Sequence, residues 1–130
     1  MGYGAYLNVV NNRGQALRLF VTNVECMYDD GAEGSNLSLF NNAVVPASGA
    51  LPASGTQYIE VKASGSCAFD DSTFNLKVTD DSDQAIIGEA DFVESDNNWD
   101  LDKNTNEDVI NVMINNSGDQ ARITVTVAAS

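Results

Sequence analysis

The sequence predicts an all-β protein: one antiparallel β-sandwich domain of about eight to ten short strands spanning residues 1–130. Three observations carry that reading. Apolar residues recur at every second position in several runs, which places them on one face of a strand. Clusters of Gly, Asn, Asp, Ser and Pro separate those runs at short intervals. No stretch sustains the 3.6-residue apolar stripe of a helix.

The first strand is expected over Ala5 to Val10, and the next on the row Leu17, Leu19, Val21. Leu37 to Phe40, Gln57 to Lys62 and Cys67 to Phe69 follow as strands bounded by turn residues. The small residues of Ala47 to Gly55, with two glycines and a proline, form a surface loop leading into the strand at Gln57. Phe74, Leu76 and Val78 alternate with Asn75, Lys77 and Thr79, and Ala85 to Val93 gives a further strand. Ile110, Val112 and Ile114 alternate with polar neighbours, as do Ile123, Val125 and Val127. The segment Asn8-Val9-Val10-Asn11-Asn12-Arg13-Gly14 is echoed by Asn111-Val112-Met113-Ile114-Asn115-Asn116-Ser117-Gly118. That echo fits two hairpins built with the same turn chemistry, or a duplicated site.

Six basic and nineteen acidic residues give a formal charge of -13. Such a field repels a phosphate backbone or an anionic membrane, so nucleic acid is not an expected partner. The acids concentrate between Asp80 and Asp108, where Lys103 is the only base. The chain contains no histidine, which removes the commonest general base at neutral pH and every nucleophile that relies on one. It contains no P-loop, nucleophile elbow or dinucleotide fingerprint either, and a non-enzymatic protein is expected. Neither a basic leader followed by an apolar run nor a membrane-spanning run is visible. The expectation is a soluble protein, cytoplasmic or released by a non-classical route. On that reading Cys26 and Cys67 are free and buried, with a disulfide as the alternative.

The chemistry concentrates in Glu94 to Glu107, ESDNNWDLDKNTNE. Asp96, Asn98, Asp100 and Asp102 alternate there, offering the oxygen ligands that Ca²⁺ takes at about 2.3 to 2.6 Å. Leu101 stands where the calcium loop of helical hands needs glycine, so the expected site is a shorter calcium loop between strands. The alternative is that Asp and Asn are there for turn chemistry. Trp99, the single tryptophan, reads as an exposed platform for a sugar ring, with a core position as its alternative. Asn97 and Asn98 would take the sugar hydroxyls. The loop Met27 to Asn36 adds Tyr28 as a stacking partner.

The opening Leu7-Asn8-Val9-Val10-Asn11-Asn12-Arg13-Gly14, with Ala16 to Val24 after it, looks like the first hairpin of aegerolysins. Lys62-Ala63-Ser64-Gly65-Ser66-Cys67 with Ser72-Thr73-Phe74-Asn75-Leu76 is similar to their central Ser/Gly-rich stretch. The resemblance implies a small acidic β-sandwich that binds membrane lipid, sometimes as one component of a pore. The residues themselves favour a lectin-like agglutinin that binds glycans or glycoconjugates, calcium-dependent and homo-oligomeric, because a shallow sugar site gains from multivalency. Membrane-lipid binding and a calcium-stabilised structural domain are the alternatives.

Overall fold

A computed structural model describes residues 2–28 and 37–129. The expected all-β fold is observed, with eleven strands among the described residues where about eight to ten are expected. They are β1 (Ala5–Asn11), β2 (Leu17–Glu25), β3 (Met27–Tyr28), β4 (Ala43–Val45), β5 (Ala50–Leu51), β6 (Gln57–Val61), β7 (Ser72–Asp80), β8 (Ile86–Glu94), β9 (Trp99–Asn104), β10 (Ile110–Asn115) and β11 (Ala121–Val127). One sheet runs β10-β11-β1-β6-β3, with β5 also paired to β1; the other runs β4-β2-β7-β8-β9. No helix among the described residues is long and apolar enough to cross a membrane.

Alternation explains the core. Ala5, Leu7 and Val9 of β1, Ile123, Val125 and Val127 of β11 and Ile59 of β6 point inward from the first sheet. Leu17 and Leu19 of β2, Phe74, Leu76 and Val78 of β7 and Phe92 of β8 meet them from the second. Among the described residues the pairing is antiparallel with one exception: β1 lies parallel to β11, from Ala5 beside Ala121 to Asn11 beside Val127. The first and last strands thus share the middle of one sheet.

Two expected strands are short 3-10 turns instead. Leu37–Phe40 is one, and its Leu37 and Phe40, three residues apart, are both fully buried on the same side. The other, expected over Cys67 to Phe69, is replaced by the 3-10 turn Gly65–Cys67 and the turn residues that follow it. Its Cys67 is joined to Cys26 by a disulfide, which corrects the expectation of free thiols. Cys26, between β2 and β3, and Cys67 come within 5.6 Å between Cα atoms although 41 residues separate them. Closing a loop of that length adds on the order of 4 kcal/mol by restricting the unfolded chain.

The two echoed segments begin alike and end differently. Asn11 Oδ1 accepts the amide of Arg13, and Asn115 Oδ1 accepts the amide of Ser117, both at 2.9 Å. After that shared turn β10 folds back onto β11 as a hairpin, whereas β2 leaves β1 for the opposite sheet. Asn11 is fully buried, and its Nδ2 reaches the carbonyls of Gln15 at 2.9 Å and Pro46 at 3.0 Å. The echo is one turn chemistry used at two unlike junctions.

Candidate functional site

Strand β8 ends at Glu94, and the chain reverses over Ser95 to Asn98. Ser95 and Asn98 exchange backbone hydrogen bonds of 3.0 and 3.1 Å, while Asp96 and Asn97 sit at φ 53° and 60°. Two successive left-handed residues make the tight hairpin turn whose twist matches the flanking strands, and Asn and Asp adopt that conformation most readily after glycine. Turn chemistry therefore explains Asp96 and Asn97.

Strand β9 then carries Trp99 into the core. Its ring is 1% exposed, lies edge-on to Phe74 at 5.7 Å, and donates from Nε1 to the Tyr3 carbonyl at 2.9 Å. This corrects the reading of Trp99 as an exposed platform. The period-two rule turns the residue inward, and the Tyr3 carbonyl satisfies its N–H in the interior.

Of the four expected calcium ligands, Asn98 and Asp100 are brought together. Their one contact is a hydrogen bond, Asn98 Nδ2 to Asp100 Oδ2 at 2.9 Å. Asp102 lies at a bulge, between Lys103 opposite Asp91 and Leu101 opposite Phe92. Among the described residues no group of three or more His, Cys, Asp or Glu side chains is placed to hold a metal ion.

What the hairpin does border is a cleft of about 490 Å³. One wall is Glu94 to Asn97; the other runs from Lys62 and Ala63 to Cys67 through Asp71. Gly2, Tyr3 and Val61 complete the lining. The buried Trp99 holds the Tyr3 carbonyl behind that surface, so it supports the cleft without entering it. Phe69, on the second wall, is 100% exposed. Asp70 and Asp71 follow it, and Asp96 faces them from the hairpin side.

Glu94 is the buried acid of this cleft, 7% exposed. Burial raises its pKa above the ordinary carboxylate value; the Asn97 amide, donating to Oε2 at 2.9 Å, opposes that, and the negative charges of Asp71 and Asp96 add to it. Lys62 is the one base in the lining, and its ammonium stands 5.1 Å above the Tyr28 ring. Tyr28, in β3 opposite Glu60, does not line the cleft itself; its ring meets Lys62, which does. The rest of the polar loop expected after it, residues 29–36, lies outside the described residues.

A second cleft of about 460 Å³ lies against β7 and β8, lined by Asn23, Asp71, Thr73, Asp91, Val93 and Asp102. The sequence-selected residues are therefore divided: Asp96 and Asn97 face the first cleft, Asp102 the second, and Trp99 neither. Phe69, Asp70 and Asp71 are not expected in the site from the sequence, and Glu94 is expected there only as the first residue of the acidic segment. Phe69 was hidden because an apolar residue after Cys67 reads as the inward side of a strand; the flanking Gly65-Ser66 and Asp70-Asp71 were the available signal of a turn.

No protein-family model matches the chain, and no curated protein matches it.

Proposed function

We propose that this chain is a non-enzymatic, lectin-like protein that binds a neutral glycan in the cleft between Phe69 and the Glu94–Asn97 hairpin. The single supporting observation is Phe69, an aromatic ring wholly in water beside a polar cleft. An aromatic face attracts the C–H face of a sugar, while carboxylates and amides at its edge accept and donate hydroxyl hydrogen bonds. Asp70, Asp71, Asp96 and Asn97 supply those groups. The surplus of carboxylates disfavours sialylated or sulfated sugars by like-charge repulsion. Display on a homo-oligomer would raise the avidity of so shallow a site.

The test is retention on a panel of immobilised neutral and acidic glycans, comparing the natural chain with Phe69→Ala. A fully exposed side chain contributes within about 0.5 kcal/mol to stability, so the variant should unfold at the same temperature. It should lose at least about tenfold in glycan affinity, the effect of one aromatic contact. Equal retention by both proteins would remove the site. Release of reducing sugar from a bound glycan would overturn the non-enzymatic reading, and binding to neutral liposomes that free sugars leave untouched would replace the glycan with lipid.

A further inference from the structure

From Ala63 to Asp71 every side chain is exposed except that of Cys67. Within this stretch the backbone bonds are all internal: Cys67 to Ser64, Ala68 to Gly65 and Asp70 to Cys67. Apart from Cys67, this wall of the cleft therefore has no buried apolar anchor, and it has no hydrogen bond to the rest of the described residues. What fixes it is Cys26. The Cys26 carbonyl accepts the Lys62 amide at 2.8 Å and the Ser72 hydroxyl at 2.8 Å, pinning both roots of the segment. The disulfide ties the middle of the segment to the same residue.

Cys26 itself sits at φ 53°, in the left-handed region that a non-glycine residue occupies only when its surroundings hold it there. Three attachments converge on it, and two of them survive reduction. Loss of the disulfide would leave the roots in place and free the tip that carries Phe69, Asp70 and Asp71.

We propose that the Cys26–Cys67 disulfide is a redox gate on this cleft, holding the Phe69 wall in its binding geometry when oxidised and releasing it when reduced. The identity of the ligand as a glycan follows the function proposed for the cleft; the release of the wall depends on the contacts of residues 63–71 alone. The reductant is a dithiol. One of its thiolates attacks a sulfur of the pair, breaking the protein S–S bond and forming a mixed disulfide, and its second thiol displaces the remaining cysteine. The chain gains two electrons and two protons, and the reductant leaves as a disulfide. A glycan binder gated in this way is active in an oxidising space and silent where thiols are kept reduced.

The test combines backbone NMR relaxation with glycan retention on three samples: the oxidised chain, the chain reduced with a dithiol and alkylated, and a Cys26→Ser, Cys67→Ser double variant. On opening, amide order parameters for residues 63–71 should fall below about 0.6 while those of β7 and β8 stay near 0.85. Glycan affinity should fall at least about tenfold, because a wall in the competent geometry less than a tenth of the time lowers apparent affinity by that fraction. An ordered segment after reduction, or affinity unchanged between samples, would overturn the gate. So would loss of the native shifts of β7 and β8 in both opened samples, since the effect would then be global unfolding. If the oxidised chain retains no glycan, the functional reading fails, and the order parameters still decide what the disulfide holds.

Discussion

The side chain of Asn116 pairs with the backbone of Trp99 as a neighbouring strand would. Its Oδ1 accepts the Trp99 amide at 2.9 Å, and its Nδ2 donates to the Trp99 carbonyl at 3.0 Å. Strands β9 and β10 are outer strands of the two sheets, each paired with a single strand among the described residues. Asn116 closes one end of the seam between them. At the other end Asn104 Nδ2 donates to the Ile110 carbonyl at 2.8 Å, while Asn106, in the connection between β9 and β10, ties that connection to β8 through the Ile87 carbonyl at 2.9 Å. Amide side chains stand in for a missing ladder, and the exposed edge of β9 is shortened as a template for aggregation.

Removing that surrogate should cost stability. Asn116→Ala loses two hydrogen bonds at a partly buried position and should destabilise by about 2 kcal/mol, read from the urea midpoint at constant slope. Asn116→Asp keeps the acceptor and loses the donor, and should fall between the two. A loss below about 0.5 kcal/mol for the alanine variant would mean that water replaces both bonds at no cost.

The placement of Trp99 is directly readable, because it is the chain's single tryptophan. Its emission should be blue-shifted and resistant to acrylamide in the native state, and should move to the red on unfolding. Trp99→Phe removes ring volume and the bond to the Tyr3 carbonyl, at a cost of about 2 to 4 kcal/mol. Ready quenching in the folded protein would place the ring outside the core.

These two residues also show what could be read in advance. Strands β1, β7, β8 and β11 each keep one dry face, and β2 and β10 keep a partly buried one, and such a face leaves alternation in the sequence. Strand β9 does not: Asp100, Leu101, Asp102 and Lys103 are all exposed on an outer strand, so Trp99 alone speaks for burial and acidic turn chemistry masks the rest. The parallel contact of β1 with β11 joins the two ends of the chain and leaves no local trace. Disulfide pairing likewise depends on where a turn places Cys67. The acidic hairpin was legible as a place of interest, but its opposing wall was not, since full exposure of Phe69 is a property of the fold and not of the residue.

Calcium offers a clean contrast. Ligand linkage predicts that an ion bound at 100 times its dissociation constant adds about 2.7 kcal/mol, a shift of several degrees in the melting temperature. With Asp96 and Asp102 on different clefts and Asn98 bonded to Asp100, millimolar Ca²⁺ should leave that temperature within about a degree of its value in chelator. A rise of several degrees would restore the ion to this loop.

The last prediction follows from Glu94. Burial first, then the charges of Asp71 and Asp96, raise its folded pKa above the ordinary value of 4.5 against the opposing Asn97 hydrogen bond. Between the unfolded and folded values the native state holds more protons than the unfolded one, so stability falls as pH rises through that window. The contribution is fully present below about pH 4.5 and lost once the pH passes the folded pKa. Glu94→Gln removes the titration and keeps an oxygen to accept the Asn97 amide. It should raise the melting temperature at pH 7, and the gap over the natural chain should shrink as pH is lowered through the folded pKa. A gap that stays constant from pH 4 to pH 8 would show that Glu94 titrates alike in both states.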